Sequence, residues 1–150
     1  MSDLILYVDS SEVREGALAT LKPAIRELVD FVEANEPQLI AYNAYLSEDG
    51  TKMTVVNLHP DSASLEYHMA VAGPFFRRFV ELVTLSSIHI YGEPSEKVLK
   101  QLHEKARLLG RGVVMVESLF AGFTRLVASE QAGRAFRATE QGAPKRASQA

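Results

Sequence analysis

His68 stands in the middle of a mostly apolar stretch, "SLEYHMAVAGPFFRRFVELV" (64–83). An unperturbed imidazole titrates near pH 6.5, so it can take a phenolic proton close to neutrality. On a helix at 100° per residue, Leu65, Met69, Ala72, Phe76, Phe79 and Val83 make one stripe. His68 falls at the flank of that stripe, near the directions of Phe75 and Phe79. Two readings stand. His68 is a half-buried histidine bonded to a backbone carbonyl or water, or it is a proton acceptor that reaches into a cleft. Asn57 and His59 lie two apart on a strand and so share a face, and Tyr42 stands opposite Asn57 in a hairpin. If that face looks toward the helix of His68, the four polar groups converge. If it looks the other way, Asn57 and His59 line a subunit contact or end a strand.

Other chemistries find little support. Cysteine is absent, which removes disulfides, thiolate nucleophiles, iron–sulfur clusters and cysteine-ligated zinc. His59, His68, His89 and His103 match no close-spaced ligand signature, so no metal is expected. There is no glycine-rich phosphate loop and no dinucleotide fingerprint. The formal net charge of −3 gives no basic face for nucleic acid. No apolar run approaches the roughly 20 residues needed to span a bilayer, and the first ten residues lack the layout of a signal peptide. A cytoplasmic protein is expected, with no membrane or nucleic-acid partner.

The elements that must position these groups follow from pattern. The 150 residues, 47% hydrophobic and 23% charged, suit one domain with a sizeable core. "LILYV" (4–8) predicts a buried strand, and "DSSEVREG" (9–16) a turn-rich connector. Leu18, Leu21, Ile25, Leu28 and Val32 mark one face of a helix over 17–35, ended by Asn35-Glu36-Pro37. "QLIAYNAYLSEDGTKMTVVNLHP" (38–60) predicts a hairpin turning at Asp49-Gly50 in a type I′ turn. Its register sets Leu46 against Met53, Ala44 against Val55 and Tyr42 against Asn57. Neither face of this hairpin is cleanly polar, so both should be covered, one of them by a second subunit. "PDSAS" (60–64) caps the helix of His68, and Gly73-Pro74 predicts a kink or a restart in it. A strand over 84–92, a helix over 94–110 capped by Ser95, and a strand over 112–120 complete a domain of residues 1–127. Residues 128–150 predict a flexible or weakly helical tail. The order β-α-β-β-α-β plus a further α-β unit predicts a ferredoxin-like α+β fold, an antiparallel sheet with helices on one face.

The stretch from Arg14 to Val80 resembles the antibiotic-biosynthesis-monooxygenase-like members of the dimeric α+β barrel superfamily. The matching pieces are Arg14-Glu15-Gly16, "NEPQLIAYNAYLSED" (35–49) and "HPDSASLEYHMAVAGPFFRRF" (59–79), with Leu65-Glu66-Tyr67-His68 at the Leu-x-x-His of the second helix. The resemblance implies a homodimeric barrel with a cleft between sheet and helices in each subunit. Some relatives oxygenate quinols or polyketide aromatics without a cofactor, others degrade haem, and many have no known activity. A tryptophan often precedes the Asp at the end of strand three in that family. Here "LHP" precedes Asp61 and tryptophan is absent, which weakens the haem-degrading branch.

The leading expectation is therefore a cofactor-independent monooxygenase-like enzyme acting on an aromatic or quinol-type molecule. His68, Asn57 and His59 would be its catalytic groups. Tyr42, Phe75 and Phe79 would wall the substrate. The alternative is a non-catalytic dimeric module that binds a small hydrophobic ligand.

Overall fold

The computed structural model describes residues 3–125; the expected tail at 128–150 lies outside them. Five strands and three helices follow in the order β1 (Ile5–Val13), α1 (Leu18–Asn35), β2 (Ala41–Leu46), β3 (Lys52–His59), α2 (Ser62–Phe76), β4 (Val83–Tyr91), α3 (Glu96–Leu109) and β5 (Val114–Glu117). The strands form one sheet in the order β2-β3-β1-β4-β5. The first four pair antiparallel, but β5 runs parallel to β4, because α3 carries the chain back across the sheet before β5 begins. The sheet is thus mixed where an antiparallel one was expected, on an otherwise ferredoxin-like α+β framework.

All three helices bury their apolar stripes against one sheet face. The core joins Leu21, Leu28 and Val32 of α1, Leu65 and Met69 of α2, and Val98, Leu102 and Leu109 of α3 to Ile5, Tyr7, Val55, Ile88 and Ile90 of the sheet. Strand β1 alternates strictly, with Ile5, Tyr7, Asp9 and Ser11 buried toward the helices. The expected connector at 9–16 is therefore mostly strand: "DSSEV" is polar but pairs with both β3 and β4. In β4 both Leu85 and Ile88 are buried, which a regular period of two cannot give. A bulge in the β1–β4 register between Ser10 and Ser11 resets the alternation.

The hairpin keeps its expected register, but the turn differs. Only Gly50 has positive φ, whereas a type I′ turn needs it at Asp49 as well. Asp49 Oδ1 accepts from the Ser47 hydroxyl and from both the amide and hydroxyl of Thr51, which closes the loop without a left-handed aspartate.

Helix α2 starts on Asp61, whose carboxylate accepts from the Ser64 amide at 2.8 Å. It runs through Gly73-Pro74 without interruption and tightens into a short 3₁₀ turn at Arg77–Phe79. The expected break is therefore a helix end two residues later, and Val83 belongs to β4. Ser95 caps α3, accepting from the Val98 amide. At the other end of α3, Gly110 packs against β4 so closely that a Cβ there would lie 2.0 Å from the Leu85 carbonyl oxygen. No helix of the described residues is long and apolar enough to cross a membrane.

Candidate active site

Alternation along β3 turns Asn57 and His59 toward the helices, and α2 brings His68 down onto them. The rings of His59 and His68 lie 5.7 Å apart, and Tyr42 and Phe76 approach His68 at 5.4 and 6.3 Å. Of the expected groups, His68, Asn57, His59 and Tyr42 thus gather in one place between sheet and helices.

His68 is 1% exposed, deeper than the edge of a helical stripe implies. Its Nδ1 meets neither a backbone carbonyl nor solvent. It lies 2.9 Å from both carboxylate oxygens of Glu36. A carboxylate can only accept, so Nδ1 carries the proton, and in the neutral ring Nε2 is the lone-pair nitrogen. Glu36 is buried at the C-cap of α1. A carboxylate there faces the negative end of the helix dipole and gains nothing from it. Its compensation comes from α2, through His68.

His59 donates or accepts at Nδ1 with the Ser64 hydroxyl at 2.8 Å, and its Nε2 makes no hydrogen bond to any described residue. Burial first and the neighbouring His68 second push its pKa down to about 3. The unfolded imidazole binds a proton near pH 6.5, so between pH 6.5 and 3 the unfolded chain holds the extra proton. Stability therefore rises with pH across that window and is lost on acidification. Urea midpoints at pH 7, 5 and 4 should fall steeply for the wild type and less steeply for His59→Gln.

Asn57 is fully buried, and neither its Nδ2 nor its Oδ1 has a hydrogen-bond partner among the described residues. It sits in a cross-strand row between Tyr7 on β1 and Tyr42 on β2. An unsatisfied buried amide costs about 1–3 kcal/mol, so a protein that only needed to fold would do better with leucine. Asn57→Leu should raise the thermal midpoint while lowering any turnover the site supports, measured on the same preparation.

A second polar group lies further along the same sheet face, where the sequence pattern had singled out nothing. Tyr7 donates to Asp9 Oδ2 at 2.5 Å, and Lys105 of α3 donates to Tyr7 Oη at 2.6 Å and to Asp9 Oδ2 at 3.1 Å. The Lys105 ammonium also stands 4.2 Å from the centre of the Phe76 ring. Burial, then the Asp9 carboxylate, raises the Tyr7 pKa well above its usual value, which keeps the hydroxyl protonated. Burial raises Tyr42 likewise, with Asp9 and Glu36 adding to it.

Two hollows meet at Tyr42. An open cleft of about 580 Å³ runs between α1 and β2, and a chamber of about 30 Å³ lies inside, beside Asp9 and Lys105. Ile25, Tyr42 and Met53 line both, so these three side chains form the wall between them. Phe79 lines the chamber, whereas Phe75 packs on Phe31 of α1 with ring centroids 4.4 Å apart. His89 points to the opposite sheet face beside Tyr91, away from His59 and His68. Among the described residues no cluster of three His, Asp or Glu side chains could hold a metal ion.

No family model matches the sequence, and no curated protein matches it. Solved structures do. MupZ from Pseudomonas fluorescens is 18% identical and aligns over 83% of this chain and 91% of its own, with a TM-score of 0.66. A conserved protein from Methanosarcina mazei is 18% identical over 61% of this chain and 94% of its own, with a TM-score of 0.54. SnoaB, a cofactor-independent oxygenase from Streptomyces nogalater, is 17% identical over 62% of this chain and 95% of its own, with a TM-score of 0.52. At these identities the likeness is one of fold. The chain has the ferredoxin-like α+β fold of these proteins, and its resemblance to the antibiotic-biosynthesis-monooxygenase-like proteins holds at that level.

Proposed function

We propose that the protein is a cofactor-independent monooxygenase-like enzyme acting on a hydroxyarene or quinol-type molecule, and that it works as a homodimer. The observation that carries this reading is the buried Glu36–His68 pair, gathered around Tyr42 with an Asn57 amide that has no hydrogen-bond partner among the described residues. A carboxylate on Nδ1 orients the imidazole and stabilises the cation it becomes, which makes Nε2 an effective general base. The natural proton for such a base is an acidic hydroxyl or the activated ring CH₂ of its keto form. Removing it leaves an electron-rich anion, and Asn57 Nδ2 supplies a donor where oxyanion character develops. That anion reacts with dioxygen at the ring carbon. One oxygen atom stays as a carbonyl, the other leaves as water with the two hydrogens of the CH₂, and the ledger closes without an external reductant. His68 does not line the open cleft; Tyr42 does and packs beside His68, so the substrate's route to the imidazole runs past the Tyr42 ring. His59, held neutral, lies beside His68 without competing for the proton.

The bare sheet face supports the dimer. Leu6, Val8, Val56 and Leu58 point away from the helices and are only half-buried. Sedimentation at micromolar concentration should give twice the chain mass.

The size and apolar lining of the cleft outside Tyr42 favour one other reading, a module that binds a hydrophobic ligand without reaching His68. Oxygen consumption separates the two. Anthrone-type and naphthol-type substrates should consume one O₂ per carbonyl formed, with no hydrogen peroxide. Binding of these compounds in the cleft with no oxygen uptake would sink the enzyme reading.

A further inference from the structure

The oxygenase reading needs a place for dioxygen, and the inner chamber fits one. Its volume of about 30 Å³ admits one or two molecules the size of water and no aromatic ring. Most of its wall, including Leu28, Val55, Phe76, Phe79 and Leu85, offers no hydrogen bond. An ordered water wants two to four polar partners. Asp9 and Lys105 at its edge are engaged with each other and with Tyr7, which leaves one ammonium proton over, and Ser11 and Tyr42 are the other polar residues of its lining. A space of this size admits a small diatomic or an ordered water.

The chamber also adjoins the base. Tyr42 and Phe76 line it, and both rings lie against His68. Lys105 sets a cation beside it, with Tyr7 and Asp9 taking two of the three ammonium protons. The third has no hydrogen-bond acceptor among the described residues.

We propose that this chamber is the seat of dioxygen and that Lys105 stabilises the superoxide formed there. This rests on the oxygenase reading. The substrate anion left by proton transfer to His68 gives one electron to O₂, producing superoxide and a substrate radical. The two combine to form the carbon–oxygen bond of a peroxide anion. That anion takes back the proton from His68, and loss of water from the hydroperoxide leaves the carbonyl. Negative charge moves onto oxygen in the first step, where a fixed ammonium in a low-dielectric chamber favours it.

Xenon tests the chamber without turnover. In crystals under xenon pressure, the atom should appear between Phe76, Phe79 and Leu28, and Leu28→Phe should exclude it. Ordered water there, with no xenon at any pressure, overturns the seat. Oxygen dependence tests the cation. Lys105→Met should lower kcat/KM for O₂ by roughly 100-fold while leaving KM for the organic substrate in place. Lys105→Arg, which keeps the charge, should recover most of that loss. An unchanged oxygen dependence in Lys105→Met, or in the charge-neutral pair Asp9→Asn with Lys105→Met if the single variant does not fold, overturns the role of Lys105. If the wild type turns over no hydroxyarene, the oxygenase reading falls, and with it the assignment of dioxygen, whatever xenon shows of the chamber.

Discussion

His68→Ala should lower turnover of a hydroxyarene substrate by roughly 10²–10⁴-fold, the usual worth of a positioned general base. The loss should fall mainly on kcat, because proton removal happens in the transition state and contributes little to ground-state binding. Alanine also strands Glu36, a carboxylate with 1% side-chain exposure, without its partner. Breaking a buried pair this way costs about 3–5 kcal/mol, so the variant could lose activity by unfolding. His68→Gln removes that ambiguity. Its amide can still donate to Glu36, but it cannot accept a proton near pH 7. A folded, inactive His68→Gln assigns the loss to chemistry. Glu36→Gln makes the complementary test. It keeps a polar group beside Nδ1 but removes the negative charge that stabilises the imidazolium. Its carboxamide can also present a donor to Nδ1 and hold the wrong tautomer. It should lose nearly as much as His68→Gln, and the double variant little more than either alone, because the two residues act as a unit. Full turnover by a folded His68→Gln would remove the imidazole from the mechanism.

Much of this site is legible in the sequence, and the part that is not has a physical reason. The hairpin register followed from side-chain alternation alone, and it set Tyr42 against Asn57. Asn57 and His59 sharing a face followed from the period of a strand. Which way the face looked was open, because both faces of the hairpin carry apolar side chains. Glu36 reads as part of a helix terminator, since a Glu before a proline is an ordinary helix end and its partner is 32 residues away in sequence. Burial at a C-cap comes from tertiary packing, which no local pattern records. The Tyr7–Asp9–Lys105 cluster left a fainter signal. Lys105 falls on the apolar stripe of α3, between Leu102 and Leu109, and Asp9 continues the buried alternation of Ile5 and Tyr7. A charge on a buried face at each of two elements was the available cue. The polar run at 9–13 masks that cue, because polar β1 residues look like loop until their pairing partners are known.

Lys105→Met should destabilise the protein by about 3–5 kcal/mol, as much as stranding Glu36 does. The side chains of Lys105 and Asp9 are 8% and 6% exposed, so neither charge can turn to solvent. Methionine replaces the aliphatic stem well, so the cost comes from the carboxylate left behind rather than from lost packing. Tyr7 would still donate to Asp9, which softens the loss without cancelling it. The sharper expectation concerns the double variant. Asp9→Asn with Lys105→Met leaves no buried net charge, and Tyr7 can donate to the new carboxamide oxygen. Desolvating two charges is expensive enough that neutral replacements of similar size are often no worse. The double variant should therefore regain most of what Lys105→Met loses, giving a coupling of about 2–3 kcal/mol in urea unfolding. Additive losses would mean that Lys105 stabilises the fold through its stem and the Phe76 ring. A regained fold with lost oxygen reactivity would mean that the charge pair is kept for chemistry, at the expense of a core that neutral side chains could fill equally well.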